Sequence, residues 1–121
     1  MRLVILTAAA LIATHAAAQV RSGDEVFDAG GLAGELSGTQ LEFYDGSTAQ
    51  YDADKGYVYR YTPDDRPFTG TWDTNDDSSV CVTFDNGSDR CDIIVRAAGR
   101  LVLITEDGVR FPVREVRPAA P

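Results

Sequence analysis

Residues 79–113 read SVCVTFDNGSDRCDIIVRAAGRLVLITEDGVRFPV, and their rhythm decides the fold. Four runs rich in β-branched and large apolar side chains, 79–84, 90–96, 101–105 and 109–113, are separated by Asp85-Asn86-Gly87, Ala97-Ala98-Gly99 and Glu106-Asp107-Gly108. Runs of this length bounded by Asp, Asn and Gly are strands joined by tight turns, because these residues adopt turn conformations that β-branched residues resist. The same rhythm extends upstream. Runs at 39–44, 47–51, 57–61 and 68–73 alternate with Asp45-Gly46, a 52–56 turn, a 62–65 turn and Thr74-Asn75-Asp76-Asp77. Eight short strands recurring about every ten residues predict an all-β antiparallel meander. Such a sheet protects its edges best by curling into a closed or half-closed barrel.

Upstream of the strands, 24–36 is the one stretch with helical character. Val26, Phe27, Leu32 and Leu36 give a loose apolar face, and Ser22 or Asp24 supplies a cap. Gly30, Gly31 and Gly34 each weaken a helix by about 1 kcal/mol relative to Ala, so one short helix is expected. Residues 1–18 have the form of an export signal: a basic start at Met1-Arg2, an apolar run from Leu3 to Ala13 broken by Thr7, and the small residues Ala16-Ala17-Ala18 before Gln19. The run is too short to span a bilayer, and no later segment is long enough, so membrane insertion is not expected. The expected organisation is a signal peptide at 1–18, a lead-in at 19–38, a β-meander domain at 39–115 and a disordered tail at 116–121. The expected location is periplasmic or secreted.

Removal of the signal takes Arg2 and His15 with it. Of the 11 basic residues 10 then remain against 19 acids, a net charge of −9. Such a chain repels nucleic acid and anionic lipid and favours a basic partner or a cation. The mature chain also has no histidine, and Lys55 is its sole lysine. Ser-His and Cys-His nucleophile systems, and imidazole-based zinc, copper or haem sites, are therefore not available to it. The remaining ionisable chemistry is carboxylate, tyrosine and arginine. With nineteen acids, no carboxylate pair stands out as a glycosidase-like dyad, so the expectation is a protein without catalysis or cofactor.

Cys81 and Cys91 lie on consecutive expected strands, and two cysteines in an exported chain pair most simply with each other. Two registers compete. A three-residue loop at Asp85-Asn86-Gly87 sets Phe84 against Ser88 and Cys81 opposite Cys91 in a non-hydrogen-bonded pair, where a bond can form. A two-residue Asn86-Gly87 turn instead gathers Val80, Val82, Phe84, Cys91, Ile93 and Val95 on one face, a better apolar match, and separates the cysteines. The bonded register is favoured; a bulge near Cys91 would reconcile the two demands. A redox role is disfavoured because the spacing lacks a Cys-x-x-Cys arrangement. Gly70-Thr71-Trp72, with Cys81 nine residues after the Trp and then Cys91, resembles an uncharacterised family of small exported alphaproteobacterial proteins. That resemblance implies only a small exported β domain.

Two constellations could carry binding. Tyr57, Tyr59 and Tyr61 alternate, so they share one strand face; with Arg60, Arg66 and Trp72 nearby they form the candidate binding surface for a protein partner or small ligand. Asp73, Asn75 and Asp77 space oxygen ligands as an EF-hand loop begins, but Ser78 stands where glycine belongs and Phe84 where a bidentate Glu belongs. A looser calcium site shared with Asp64-Asp65 is the residual form of this idea. The leading expectation is a non-catalytic exported protein that binds on its β surface, one form being an inhibitor of an envelope enzyme. The alternative is an acidic cation-binding or structural envelope protein.

Overall fold

A computed structural model describes residues 19–121. The expected signal segment lies outside these residues. Among the described residues one helix element, α1 (Ala29–Leu36), precedes eight strands: β1 (Thr39–Phe43), β2 (Thr48–Tyr51), β3 (Gly56–Arg60), β4 (Phe68–Thr74), β5 (Ser79–Phe84), β6 (Asp89–Ala97), β7 (Arg100–Ile104) and β8 (Arg110–Pro118). Each strand pairs antiparallel with the next, and β8 returns to pair with β1, closing the barrel. Closure leaves no free sheet edge. A register shift at Glu42/Phe43 lies in the closing β1–β8 seam.

Two boundaries differ from the sequence expectation. The helix starts at Ala29, because Asp28 caps it: Oδ1 accepts from Gly31 N at 2.7 Å. The chain before it is extended and bridges Glu25 to Arg96 on the outside of β6. At the other end, β8 continues past 115 to Pro118, and Ala119 N donates to Gly38 O at 2.8 Å. The expected free tail at 116–121 is thus largely tied to the barrel, since β1 needs a partner along its whole length to satisfy its backbone.

The interior is filled from alternate positions of each strand. Leu41, Phe43, Tyr51, Trp72, Ile94 and Leu103 are among its buried members. Leu32 and Leu36 of α1 enter the same core and close one end of the barrel. Ser78 holds this end together. It has φ +67°, its Oγ accepts from Phe27 N at 2.9 Å, and the same hydroxyl donates to Ile94 O.

The cysteine hairpin takes the bonded register. Phe84 N donates to Ser88 O at 2.8 Å, Gly87 has φ +88°, and Cys81 pairs with Cys91 with Cα atoms 4.0 Å apart and the disulfide formed. The apolar mismatch that counted against this register is resolved by the lead-in. Ile93 and Val95 do face outward, but with Val102 and Ile104 they form a second buried cluster against which Val20 packs. Asp24 pins that lead-in through a bidentate pair with Arg110 at 2.8 and 2.9 Å, and its side chain is only 3% exposed.

Candidate functional site

The register has a consequence at the end of the barrel opposite α1. With Cys91, Ile93 and Val95 facing out, Arg90, Asp92 and Ile94 must face in, because successive residues of a strand alternate. Ile94 reaches the sealed half of the core. Arg90 and Asp92 stop in the open half, where Arg90 Nη2 donates to Asp92 Oδ1 at 2.9 Å. The Asp92 side chain is 9% exposed and that of Arg90 44%. The charge-assisted bond to Asp92 raises the Arg90 pKa above its usual value.

This pair lines a cavity of about 250 Å³ at the barrel mouth. Its walls include Phe43, Tyr57, Tyr59, Tyr61, Leu103 and Phe111. Binding sites are typically apolar concavities with few placed polar groups, and this one fits that description. Asp45, Ser47 and Thr105 add polar atoms. Asp45 Oδ1 accepts from Ser47 N at 2.9 Å and from Ser47 Oγ at 2.6 Å, which lowers the Asp45 pKa and keeps it ionised. A wider depression of about 420 Å³ between Glu35, Arg96 and Arg114 is a charged surface groove without aromatic walls.

The three tyrosines of β3 and its following loop descend into this mouth in order. Tyr57 is 6% exposed, Tyr59 is half-buried and Tyr61 is 57% exposed. Burial raises the pKa of Tyr57 and, more weakly, of Tyr59, where the hydrogen bond with Ser47 opposes it. Tyr57 packs edge-on against Phe84 at 5.9 Å, Tyr59 against Tyr61 at 4.9 Å, and Tyr61 against Phe68 at 5.7 Å. Gly70 makes the first contact possible. It pairs with both Tyr57 and Phe84, and having no side chain it lets the two rings meet across β4.

The other residues of the expected surface are elsewhere. Trp72 is 2% exposed and belongs to the core; its Nε1 donates to Asp52 O at 3.0 Å, Tyr51 packs against it at 5.5 Å, and Lys55 Nζ sits 4.1 Å from its ring. It faces inward because it alternates in phase with Gly70. Arg60 follows the opposite phase to the tyrosines, and its Nη1 donates to Asp65 O at 3.2 Å. The three tyrosines thus share one cavity wall, Trp72 lies in the core instead of on the expected surface, and Arg90 and Asp92, not among the expected residues, line the same cavity. The signal for the missed pair was present: a Cys81–Cys91 bond on the outer face obliges their neighbours to point inward.

The calcium candidates do not converge. Asp73 is 3.7 Å from Lys55 Nζ, Asn75 Nδ2 donates to Ser79 Oγ at 3.1 Å, and Asp77 Oδ1 accepts from Ser79 N at 3.2 Å. They lie at the α1 end, whereas Asp64 and Asp65 lie in the β3–β4 loop at the mouth, so the shared site is not formed. Among the described residues no three His, Cys, Asp or Glu side chains are grouped to hold a metal. Among them, too, no helix is long and apolar enough to cross a membrane. Comparison with family models, curated proteins and solved structures finds no match to this chain.

Proposed function

We propose that this is an exported, non-catalytic binding protein whose barrel mouth receives a small ligand or a protruding group of a protein partner. The observation that carries the reading is the cavity in which Tyr57, Tyr59 and Tyr61 converge with the half-buried Arg90–Asp92 pair. Aromatic faces supply contact area at little entropic cost, and the polar pair supplies orientation. A volume of about 250 Å³ falls below the roughly 300–1,000 Å³ of drug-sized sites, so the fitting group is small. The disulfide accords with the periplasmic or secreted location expected from residues 1–18. Absence of histidine from the mature chain supports the non-catalytic reading.

The test is a fragment screen on the mature, oxidised protein by two-dimensional NMR. Hits are expected to shift Tyr59, Tyr61, Thr105 and Phe111 together and to weaken in Tyr61→Ala, whose exposed ring leaves the fold intact when removed. Hits that map only to other faces, or that bind Tyr61→Ala with unchanged affinity, would refute the proposal.

A further inference from the structure

We propose that the mouth is a site for a small organic cation, an ammonium or guanidinium group seated in the corner between Tyr59 and Tyr61 and facing Asp45. This deepens the preceding reading and rests on it.

Geometry comes first. The rings of Tyr59 and Tyr61 stand at 89° to each other with centroids 4.9 Å apart, and Tyr61 and Phe68 stand at 87°. Perpendicular rings form adjoining walls, and a cation in such a corner meets the negative face of at least one ring. The charge balance points the same way. The cavity is lined by Asp45 and Asp92 against Arg90, a net charge of −1. Arg90 does not reverse this, because Asp92 neutralises it at 2.9 Å. The bonds from Ser47 keep Asp45 charged at neutral pH.

The surroundings reinforce the sign. The turns that ring this end carry Asp64, Asp65, Asp85, Glu106 and Asp107 against Arg66. At the adjoining strand ends Asp89 and Arg60 offset each other and Arg110 is neutralised by Asp24; Arg100 lies 5.6 Å from the Tyr44 ring, and the rim stays acidic. Within a screening length of about 8 Å at physiological salt, such a rim concentrates cations and repels anions. An anionic ligand held by Arg90 would have to displace Asp92 or sit beside it inside this field. A cation requires neither.

The experiment titrates the full mature, oxidised protein with three probes of one shape: choline, its neutral isostere 3,3-dimethylbutan-1-ol, and 3,3-dimethylbutanoate. Ring chemical shifts of Tyr59 and Tyr61 report occupancy. Choline is expected to bind at least about tenfold tighter than the alcohol, which has no charge to be attracted by the ring faces or by Asp45. The carboxylate is expected to bind most weakly, and added salt should weaken choline alone. Asp45→Asn retains Oδ1 for Ser47, so the turn survives, and it should reduce the choline preference severalfold; Tyr61→Ala should do the same. A parallel titration with Nα-acetyl-lysine amide separates the sources. Tighter binding than choline points to a protein side chain, weaker binding to a free ion. Equal or stronger binding of the alcohol or the carboxylate at the same tyrosines would overturn the cation assignment while leaving the cavity a binding site. No shift with any probe overturns the cation assignment too, and the broader fragment screen then decides the cavity. A choline preference unchanged in both variants would likewise overturn it.

Discussion

A single methyl group at Gly70 should damage this barrel more than most larger changes. An ideal Cβ at Gly70 would lie 2.3 Å from Thr83 O and 2.9 Å from Phe84 Cα, both backbone atoms of the neighbouring strand. No rotamer relieves a clash with backbone, so β4 and β5 must separate by about 1 Å to restore ordinary contact. Overpacking of this kind costs about 1–3 kcal/mol. Prying the strands apart at the Gly70–Phe84 pair also weakens a ladder hydrogen bond worth about 1 kcal/mol. The expected loss for Gly70→Ala is therefore about 3 kcal/mol, equivalent to a fall in Tm of about 15 °C for a domain of this size. Gly34→Ala is the internal control. It lies inside α1 with nothing within 4 Å of its added Cβ, so it should raise stability by about 0.5–1 kcal/mol through helix propensity alone. Urea unfolding of both variants with the disulfide intact measures the two shifts. A Gly70→Ala protein within 0.5 kcal/mol of the parent would show that the close approach of β4 to β5 does not exist in solution.

The remaining predictions concern the disulfide, the core tryptophan and the pH limits. Replacing Cys81 and Cys91 with Ala should cost about 2.7 kcal/mol, the loop-closure entropy for a separation of 10 residues, visible as a lower urea midpoint; an unchanged midpoint would show that the hairpin is already ordered in the denatured chain. Trp72→Ala should cost about 3–5 kcal/mol and impair folding outright, in contrast to the mild Tyr61→Ala, and circular dichroism melts will separate the two. On the acid side, the bonds from Arg110 hold the Asp24 carboxyl below its usual value. Its stabilising contribution is full above the unfolded value of about 3.9 and disappears as pH falls through the lower folded value, so Asp24→Asn should flatten the acid limb of the stability curve below about pH 4. On the alkaline side, burial raises Tyr51 and Tyr57, so stability should fall above about pH 10 by up to about 1.4 kcal/mol per pH unit for each, as the unfolded chain ionises and the folded one does not. Stability that stays level from pH 10 to 12 would mean that those two rings are not sealed in the core.

Much of the architecture follows from local chemistry alone. Turn residues at Asp85-Asn86-Gly87, Asp45-Gly46 and Glu106-Asp107-Gly108 set the strand lengths, and alternation within each run assigned the three tyrosines to one face. Both are nearest-neighbour properties, which a sequence states directly. The helix start was less legible, because Ser22, Asp24 and Asp28 are all competent caps; in the fold Asp24 is committed to Arg110 and Glu25 to a bridge with Arg96, and Asp28 caps the helix.

What the chain order could not settle was which side of β6 faces in. Two registers of the Cys81–Cys91 hairpin each had a local argument, and they differ by one residue. The closed barrel decided between them, since β7 and the lead-in, both remote from the hairpin turn, bury Ile93 and Val95 on the outside. That distant cover admits the disulfide register, and the same choice turns Arg90 and Asp92 toward the tyrosines. Composition and spacing determined a small acidic β domain with a tyrosine-bearing strand. Closure of β8 on β1 alone made of that strand one wall of a cavity, because a wall needs the opposite side of a barrel to face.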